Sequence, residues 1–469
     1  MSQRRKPAGS SYTVERVKPH LLVVALVASL WSSLAAAQDD LNLSPADMRG
    51  LSAGLIGDGR LAEAAALTDA LIARDPSDAT ALILRARVAL ATGDAAGAIA
   101  LASRAFRAAE GDDQRYAAAR IAARGHAALK QDTRAQWWLR RAGNVAPDEV
   151  AERSVAAEFR ALRQRNPLAI SLQFGISPSS NVNGGSASDA IILPGLPFEF
   201  VLDGEARALS GLQIEGGINL SYRLEQTERA ASFLDVSLQG RTYVLSAEAR
   251  DQAPNARGSD YADVSATLSL TRRWLPQEAR GPWSMTAALG QTWYDDSLFL
   301  SFGQVTLSKL TRFDRGRRLD VSGFVEGQDR IQDDEKLLAV GGRARWTWTR
   351  PTRDEASVSA GFRDTLDELP DVAFDSLSVG AAYQFAKPIR SARLGLGADL
   401  EYRYFEKTYY SIDPREDIRS SLRVTLGLPE YSYYGFEPQV IFRASRTDSS
   451  VALYDSRSLS IDFGIVSSF

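Results

Sequence analysis

In Arg393-Leu394-Gly395-Leu396-Gly397-Ala398-Asp399-Leu400-Glu401-Tyr402-Arg403-Tyr404, every even position is apolar or aromatic and every odd one is small or charged. Successive side chains of a strand point to opposite faces, so this stretch reads as a strand with one greasy and one wet side. The same period recurs upstream. Ile170, Leu172, Phe174 and Ile176 alternate with Ser171, Gln173, Gly175 and Ser177, and Leu212, Ile214, Ile218, Leu220 and Tyr222 with Gln213, Glu215, Asn219, Ser221 and Arg223. Similar dyads cover 264–274, 338–348, 377–385 and 418–428. About fourteen such segments follow position 167, most near the ~10-residue length of a tilted membrane-spanning strand. Residues 298–313 alternate poorly.

Soluble sandwiches alternate too. Three features point instead to a transmembrane barrel. Leu459, Ile461, Phe463, Ile465, Ser467 and Phe469 share one face of a last strand ending on an aromatic. That ending resembles the terminal strand read by the barrel-assembly machinery, which makes the machinery an expected partner through Phe469. Connections then alternate in length. Those after odd strands are often long (178–210, 244–259, 364–374, 405–416), and those after even strands are generally short, as in Arg350-Pro351-Thr352-Arg353 and Phe313-Asp314-Arg315-Gly316. Long outer loops and short periplasmic turns are the expected asymmetry. Finally, Tyr222, Trp274, Trp346, Trp348 and Phe385 end even strands and Trp283 begins an odd one, which gathers aromatic rings at one interface. Outer-membrane lipid is therefore an expected partner.

Ahead of the strands the period is helical. From Ser44 to about Arg165 the chain is Ala-rich, and Gly59-Arg60-Leu61-Ala62-Glu63-Ala64 returns 34 residues later as Gly93-Asp94-Ala95-Ala96-Gly97-Ala98. A looser copy begins at Gln131-Asp132-Thr133-Arg134-Ala135. The period is that of tetratricopeptide repeats, whose stacked helix pairs form a concave partner-binding surface. At the extreme N-terminus, Arg4, Arg5, Lys6, Arg16 and Lys18 precede the short apolar run LLVVALVASLW and Ala35-Ala36-Ala37. This predicts an export signal cleaved before Gln38. The expected organisation is a signal peptide (1–37), a periplasmic tetratricopeptide-like α-solenoid (38–166) and an antiparallel transmembrane β-barrel of about fourteen strands (167–469) in the cell outer membrane.

Composition narrows the function. Among 469 residues, 55 Lys+Arg face 58 Asp+Glu, too balanced for a nucleic-acid binder. With no cysteine, thiolate catalysis and Cys-ligated metals are excluded. Of two histidines, His20 falls in the signal and His126 in the helical half, so the barrel has none to activate a Ser or a water. No catalytic, cofactor or metal site is expected. The inward charges, among them Glu215, Arg241, Asp263, Arg343, Arg345, Arg363, Arg419, Arg423 and Arg443, suit a wet lumen. Arg393, Asp399, Glu401 and Arg403, on one strand face, are the candidate lumen contacts.

The order of signal, short helical-repeat unit and barrel resembles the surface lipoprotein assembly modulator (Slam) family of outer-membrane proteins. The resemblance sharpens at Phe174-Gly175-Ile176-Ser177-Pro178-Ser179-Ser180-Asn181-Val182-Asn183, which is similar to that family's barrel entrance with its Pro-x-Ser-Asn-hydrophobic-Asn pattern. It makes Ser180, Asn181 and Asn183 candidate client contacts, although Ser and Asn also form turns through their own backbone. The resemblance implies export: the helical unit receives a client, a surface lipoprotein or a soluble secreted protein, and the barrel supplies the route. A passive or polysaccharide-conducting channel is the alternative, and an adhesive surface protein a third reading, with the loop 178–210 as a contact site or a plug.

Overall fold

The structure, a computed structural model, describes residues 43–192, 198–434 and 436–467. The expected signal, the Leu193–Pro197 part of the first loop and Phe469 lie outside them.

Among the described residues seven helices come first: α1 (Pro45–Gly57), α2 (Leu61–Arg74), α3 (Ala79–Ala91), α4 (Ala95–Ala108), α5 (Asp112–Ala128), α6 (Asp132–Asn144) and α7 (Glu149–Arg165). The repeated motif marks the turns within helix pairs. Gly59 and Gly93 both adopt positive φ (76° and 86°), where glycine is unstrained, and Lys130 takes the same conformation (57°) in the third pair. Ala64, Ala98 and Ala135, at equivalent positions one turn into the second helix of each pair, are completely buried. A larger side chain there would push the paired helices apart. Three apolar clusters run through the described helices, around Leu55, Ala64 and Val88, around Leu82, Ala98 and Ile121, and around Leu139, Val155 and Phe159.

From α7 the chain passes through Asn166-Pro167 into β1 (Leu168–Ser179). A loop carrying a small hairpin, β2 (Ala190–Ile192) and β3 (Glu199–Val201), leads to β4 (Gly211–Gln226) and β5 (Ala230–Leu245). A short helix, α8 (Ala247–Gln252), precedes β6 (Asp263–Trp274) and β7 (Trp283–Tyr294). There follow β8 (Ser297–Arg312), β9 (Arg317–Arg330), β10 (Glu335–Thr349), β11 (Glu355–Thr365) and β12 (Asp375–Gln384). The last four are β13 (Arg393–Phe405), β14 (Arg415–Gly427), β15 (Phe436–Ser449) and β16 (Ser456–Ser467). All but β2 and β3 form one closed antiparallel barrel, so fourteen strands encircle the lumen. Closure leaves no sheet edge in the bilayer, where unpaired backbone groups would find no water.

The register separates two faces. Val236, Leu268 and Leu289 lie side by side on β5, β6 and β7, all well exposed, and the same face carries Leu220, Val305, Val325, Val358, Leu377, Leu400, Leu422 and Phe463 around the ring. So much exposed aliphatic surface suits lipid, and this is the surface of an outer-membrane barrel. Leu268→Arg, near the middle of β6, is expected to destabilise folding into bilayers by about 2–4 kcal/mol, read from denaturant titration in lipid vesicles, whereas Ser269→Arg on the other face should not. The rim aromatics fall where expected. Trp274 and Trp283 stack with centroids 6.5 Å apart, and Phe313 packs on Trp346 at 5.0 Å, all at the end of the barrel joined to the helices.

The weak alternation of 298–313 also has a cause. In β8, Phe302 belongs to the inner face, and its ring covers Gly290 of β7 so closely that a Cβ there would sit 2.4 Å from it. Phe324 covers Gly341 of β10 in the same way. An aromatic filling the gap over a cross-strand glycine strengthens the sheet but breaks the greasy-out pattern.

Candidate functional site

The concave face identifies itself by ion pairs that leap over a strand. Arg363 of β11 reaches Glu326 of β9 (3.3 Å), and Arg393 of β13 reaches Glu437 of β15 (3.2 Å). Only side chains inside a curved sheet converge this way. The strand between gives room: Gly427 of β14 lies beneath the second pair, where a Cβ would come within 2.5 Å of Glu437 Oε1. Arg443 pairs with Asp462 at 3.0 Å and Arg241 with Asp263 at 3.0 Å, the latter beside a polar recess of about 280 Å³ that also holds Gln173, Glu215 and Gln239. Against these pairs stand Arg343, Arg345, Arg419 and Arg423. All four belong to the inner face by register, are exposed, and meet no carboxylate among the described residues. Arg423 lies directly opposite Arg443. The inner face is polar, and these four arginines stand on it without a carboxylate partner among the described residues.

The four lumen candidates of β13 do share a face but divide into separate contacts. Arg393 engages Glu437. Glu401 takes Nε and Nη2 of Arg403 at 3.0 and 2.7 Å, and Arg403 also lies over the Phe374 ring at 4.9 Å. Asp399 sits between them with its carboxylate over Gly380 of β12.

Ser180, Asn181 and Asn183 lie at the opposite end of the barrel from the helices, beside the joint between first and last strands. The Ser180 amide donates to Leu459 O (3.0 Å), and the Ser180 hydroxyl accepts from the Leu459 amide (2.9 Å). Asn181 Nδ2 donates to Gly185 O at 2.9 Å, and Asn183 Nδ2 donates to Glu205 O and Arg207 O at 2.9 and 2.8 Å. These contacts fasten the first loop to itself and to β16. They matter because the joint is otherwise thin. Among the described residues β1 registers with β16 only at Phe174–Ile465, Gly175–Gly464, Ile176–Phe463 and Ser179–Ser460, but with β4 along its whole length. The first loop also packs Val182 and Leu209 against Leu245 at the end of β5 and Ala249 of α8, tying the connections at this rim together.

A third assembly escaped the sequence reading. Arg415, at the start of β14, is buried between the rings of Phe405 and Tyr454, 3.4 and 3.6 Å from their centroids. Its guanidinium meets Asp371 at 2.6 Å and Asp417 at 3.3 Å. Asp371 also accepts from the Thr408 hydroxyl (2.6 Å) and the Tyr409 amide (3.0 Å). Burial, followed by the neighbouring Asp371 carboxylate, pushes the Tyr454 hydroxyl well above its ordinary range. One arginine thus locks three connections of the mouth remote from the helices. Asp371 sits 44 residues from Arg415, and no local pattern links them.

At the other rim, α6 is bolted to the turn before β15. Trp137 stacks on Tyr434 (6.3 Å), Arg140 donates to Tyr434 O (3.2 Å) and lies over the Phe436 ring (5.0 Å), and the Tyr434 amide donates to Asn144 Oδ1 (3.3 Å). Arg223 of β4 donates to the carbonyls of Gln164 and Arg165 at 2.8 and 3.0 Å, capping α7. His126 is buried in the helical unit, with Nδ1 2.8 Å from Gln131 Oε1, a packing position. No group of residues able to hold a metal occurs among those described.

No protein-family model and no curated protein matches the chain. Among solved structures, Acinetobacter baumannii OccAB1 is 9% identical with a TM-score of 0.35, over 64% of this chain and 96% of that one. A BenF-like porin from Pseudomonas fluorescens Pf-5 is 8% identical with a TM-score of 0.35, over 64% and 99%. The KdgM porin is 16% identical with a TM-score of 0.25, over 45% and 94%. The architecture of this chain stands on its own closed ladder.

Proposed function

We propose that this chain is an outer-membrane translocator: the helical unit, on the periplasmic side, receives a client protein, and the barrel gives it a route to the cell surface. The observation that carries this reading is the fixed attachment of seven helices to the barrel rim. A pore for diffusing solutes needs no such platform, whereas a carrier gains from holding its cargo at the mouth in one geometry. The Slam-like order of parts points the same way. Clients are surface lipoproteins or soluble secreted proteins, and Ser180, Asn181, Asn183 and the β13 face are the lumen and mouth positions to probe. The test is surface exposure of a client, assayed by protease shaving of intact cells with and without this chain. Equal exposure in both would exclude the reading.

One observation favours a second reading, a channel for small anions: the four arginines without carboxylate partners. Replacing Arg343, Arg345, Arg419 and Arg423 together by serine is expected to lower the anion-over-cation permeability ratio severalfold, measured as the reversal potential across a planar bilayer in a salt gradient. If the same variant keeps full client exposure, conduction and export are separate properties of the barrel.

A further inference from the structure

Between the helical unit and the outer wall of the barrel lies a recess of about 220 Å³. Its barrel side is Leu168, Ile170 and Leu172 of β1 with Phe436 of β15. The three β1 residues continue the lipid-facing row of Phe174, and among the described residues the ladder to β16 stops before reaching them. Its helical side mixes the rings of Trp137 and Phe159 with the polar groups of Thr133, Gln136, Arg140 and Arg163. Gln136 is more than nine-tenths buried, and its Oε1 accepts from Asn166 Nδ2 at 3.1 Å. Its Nε2 has no acceptor among the described residues. A buried amide donor without a partner is costly, and one that lines a recess beside two guanidiniums calls for an oxyanion.

We propose that this recess holds one glycerophospholipid of the membrane leaflet facing the helical unit, its phosphate against Gln136, Arg140 and Arg163 and an acyl chain along Leu168, Ile170 and Leu172. The apolar wall is continuous with the surface already turned to lipid, and the cationic wall stands at the rim where headgroups lie. Arg140 is held below its ordinary range by burial and then by the charge of Arg163, so an arriving anion relieves a repulsion already present. Trp137 and Tyr434 flank the site with the amphipathic rings typical of headgroup depth.

The full-length protein, reconstituted in nanodiscs of phosphatidylethanolamine and phosphatidylglycerol and released in the mass spectrometer, is expected to retain one phospholipid per chain. Gln136→Glu keeps an oxygen for Asn166 but sets a carboxylate against the phosphate. Arg163→Gln alters an exposed residue and leaves the contacts of Arg140 to Tyr434 in place. Each is expected to lower the retained fraction about tenfold, the effect of losing one charge-assisted hydrogen bond. The lumen variant Arg343→Ser should retain as much as the wild type. Inorganic phosphate added in excess should displace nothing, since it offers no chain for the apolar wall. A wild-type protein without retained lipid overturns the proposal. So does equal retention by Gln136→Glu and Arg163→Gln, or displacement by phosphate alone.

Discussion

Arg415→Ala is expected to lower the stability of the folded barrel by about 3–5 kcal/mol, the range for breaking a buried ion pair from one side. The guanidinium is 4% exposed, and its carboxylate partners Asp371 and Asp417 are 14% and 6% exposed. Without it, two carboxylates face each other in a dry site, and two aromatic rings lose the cation between them. The loss extends through Thr408 and Tyr409, which bond to Asp371, and Ser449, whose hydroxyl donates to Asp417 at 2.6 Å. Denaturant unfolding from lipid vesicles, followed by tryptophan fluorescence, gives the number. Arg415→Ala with Asp371→Asn and Asp417→Asn should recover part of the loss, because the stranded charges are gone. A drop below about 1 kcal/mol for the single variant would show that the mouth is held elsewhere.

The second large effect concerns the helices. Deleting residues 43–165 while keeping the expected export signal should leave a closed barrel, since every barrel strand and turn lies after Pro167. Client exposure at the cell surface should nevertheless fall to that of cells lacking the whole chain. A milder form is Trp137→Ala with Tyr434→Ala, which removes the stacked pair at the rim but keeps both units folded. If the helices act as proposed, this variant should lower exposure severalfold, because a bound client is no longer held over the mouth. Heat-modifiable migration on gels verifies the barrel in each case. Full exposure after deletion of the helices would leave them no part in export.

The strands were legible because each separates two solvents, and the demand for lipid on one side and water on the other writes a period of two into the residues themselves. Fourteen strands and the aromatic rim follow from that. The pattern failed at 298–313, where Phe302 fills space over Gly290, a requirement of a neighbouring strand that its own sequence does not display. The helix pairs were legible through Gly59 and Gly93, since a turn with positive φ selects glycine. The site was far less so. The inner charges could be listed, but not matched: Arg393 finds Glu437 and Arg363 finds Glu326 across an intervening strand, a relation set by curvature. Ser180 and Asn181 stood out as a motif, yet their bonds to Leu459 and Arg457 depend on where the last strand returns. The Gln136 amide, the Arg415 cage and the docking of Tyr434 are likewise long-range, and no short window of sequence contains them.

The attachment of α6 to the turn before β15, with α7 running straight into β1, bears on how the ring comes to be closed. The first strand and the last two are far apart along the chain, and an untethered polypeptide would have to bring them together against the entropy of a very long excursion. Here the helices seize both neighbourhoods at once. With Tyr434 held there, the start of β15 lies on the same unit that leads into β1, which shortens the excursion that closing the cylinder requires.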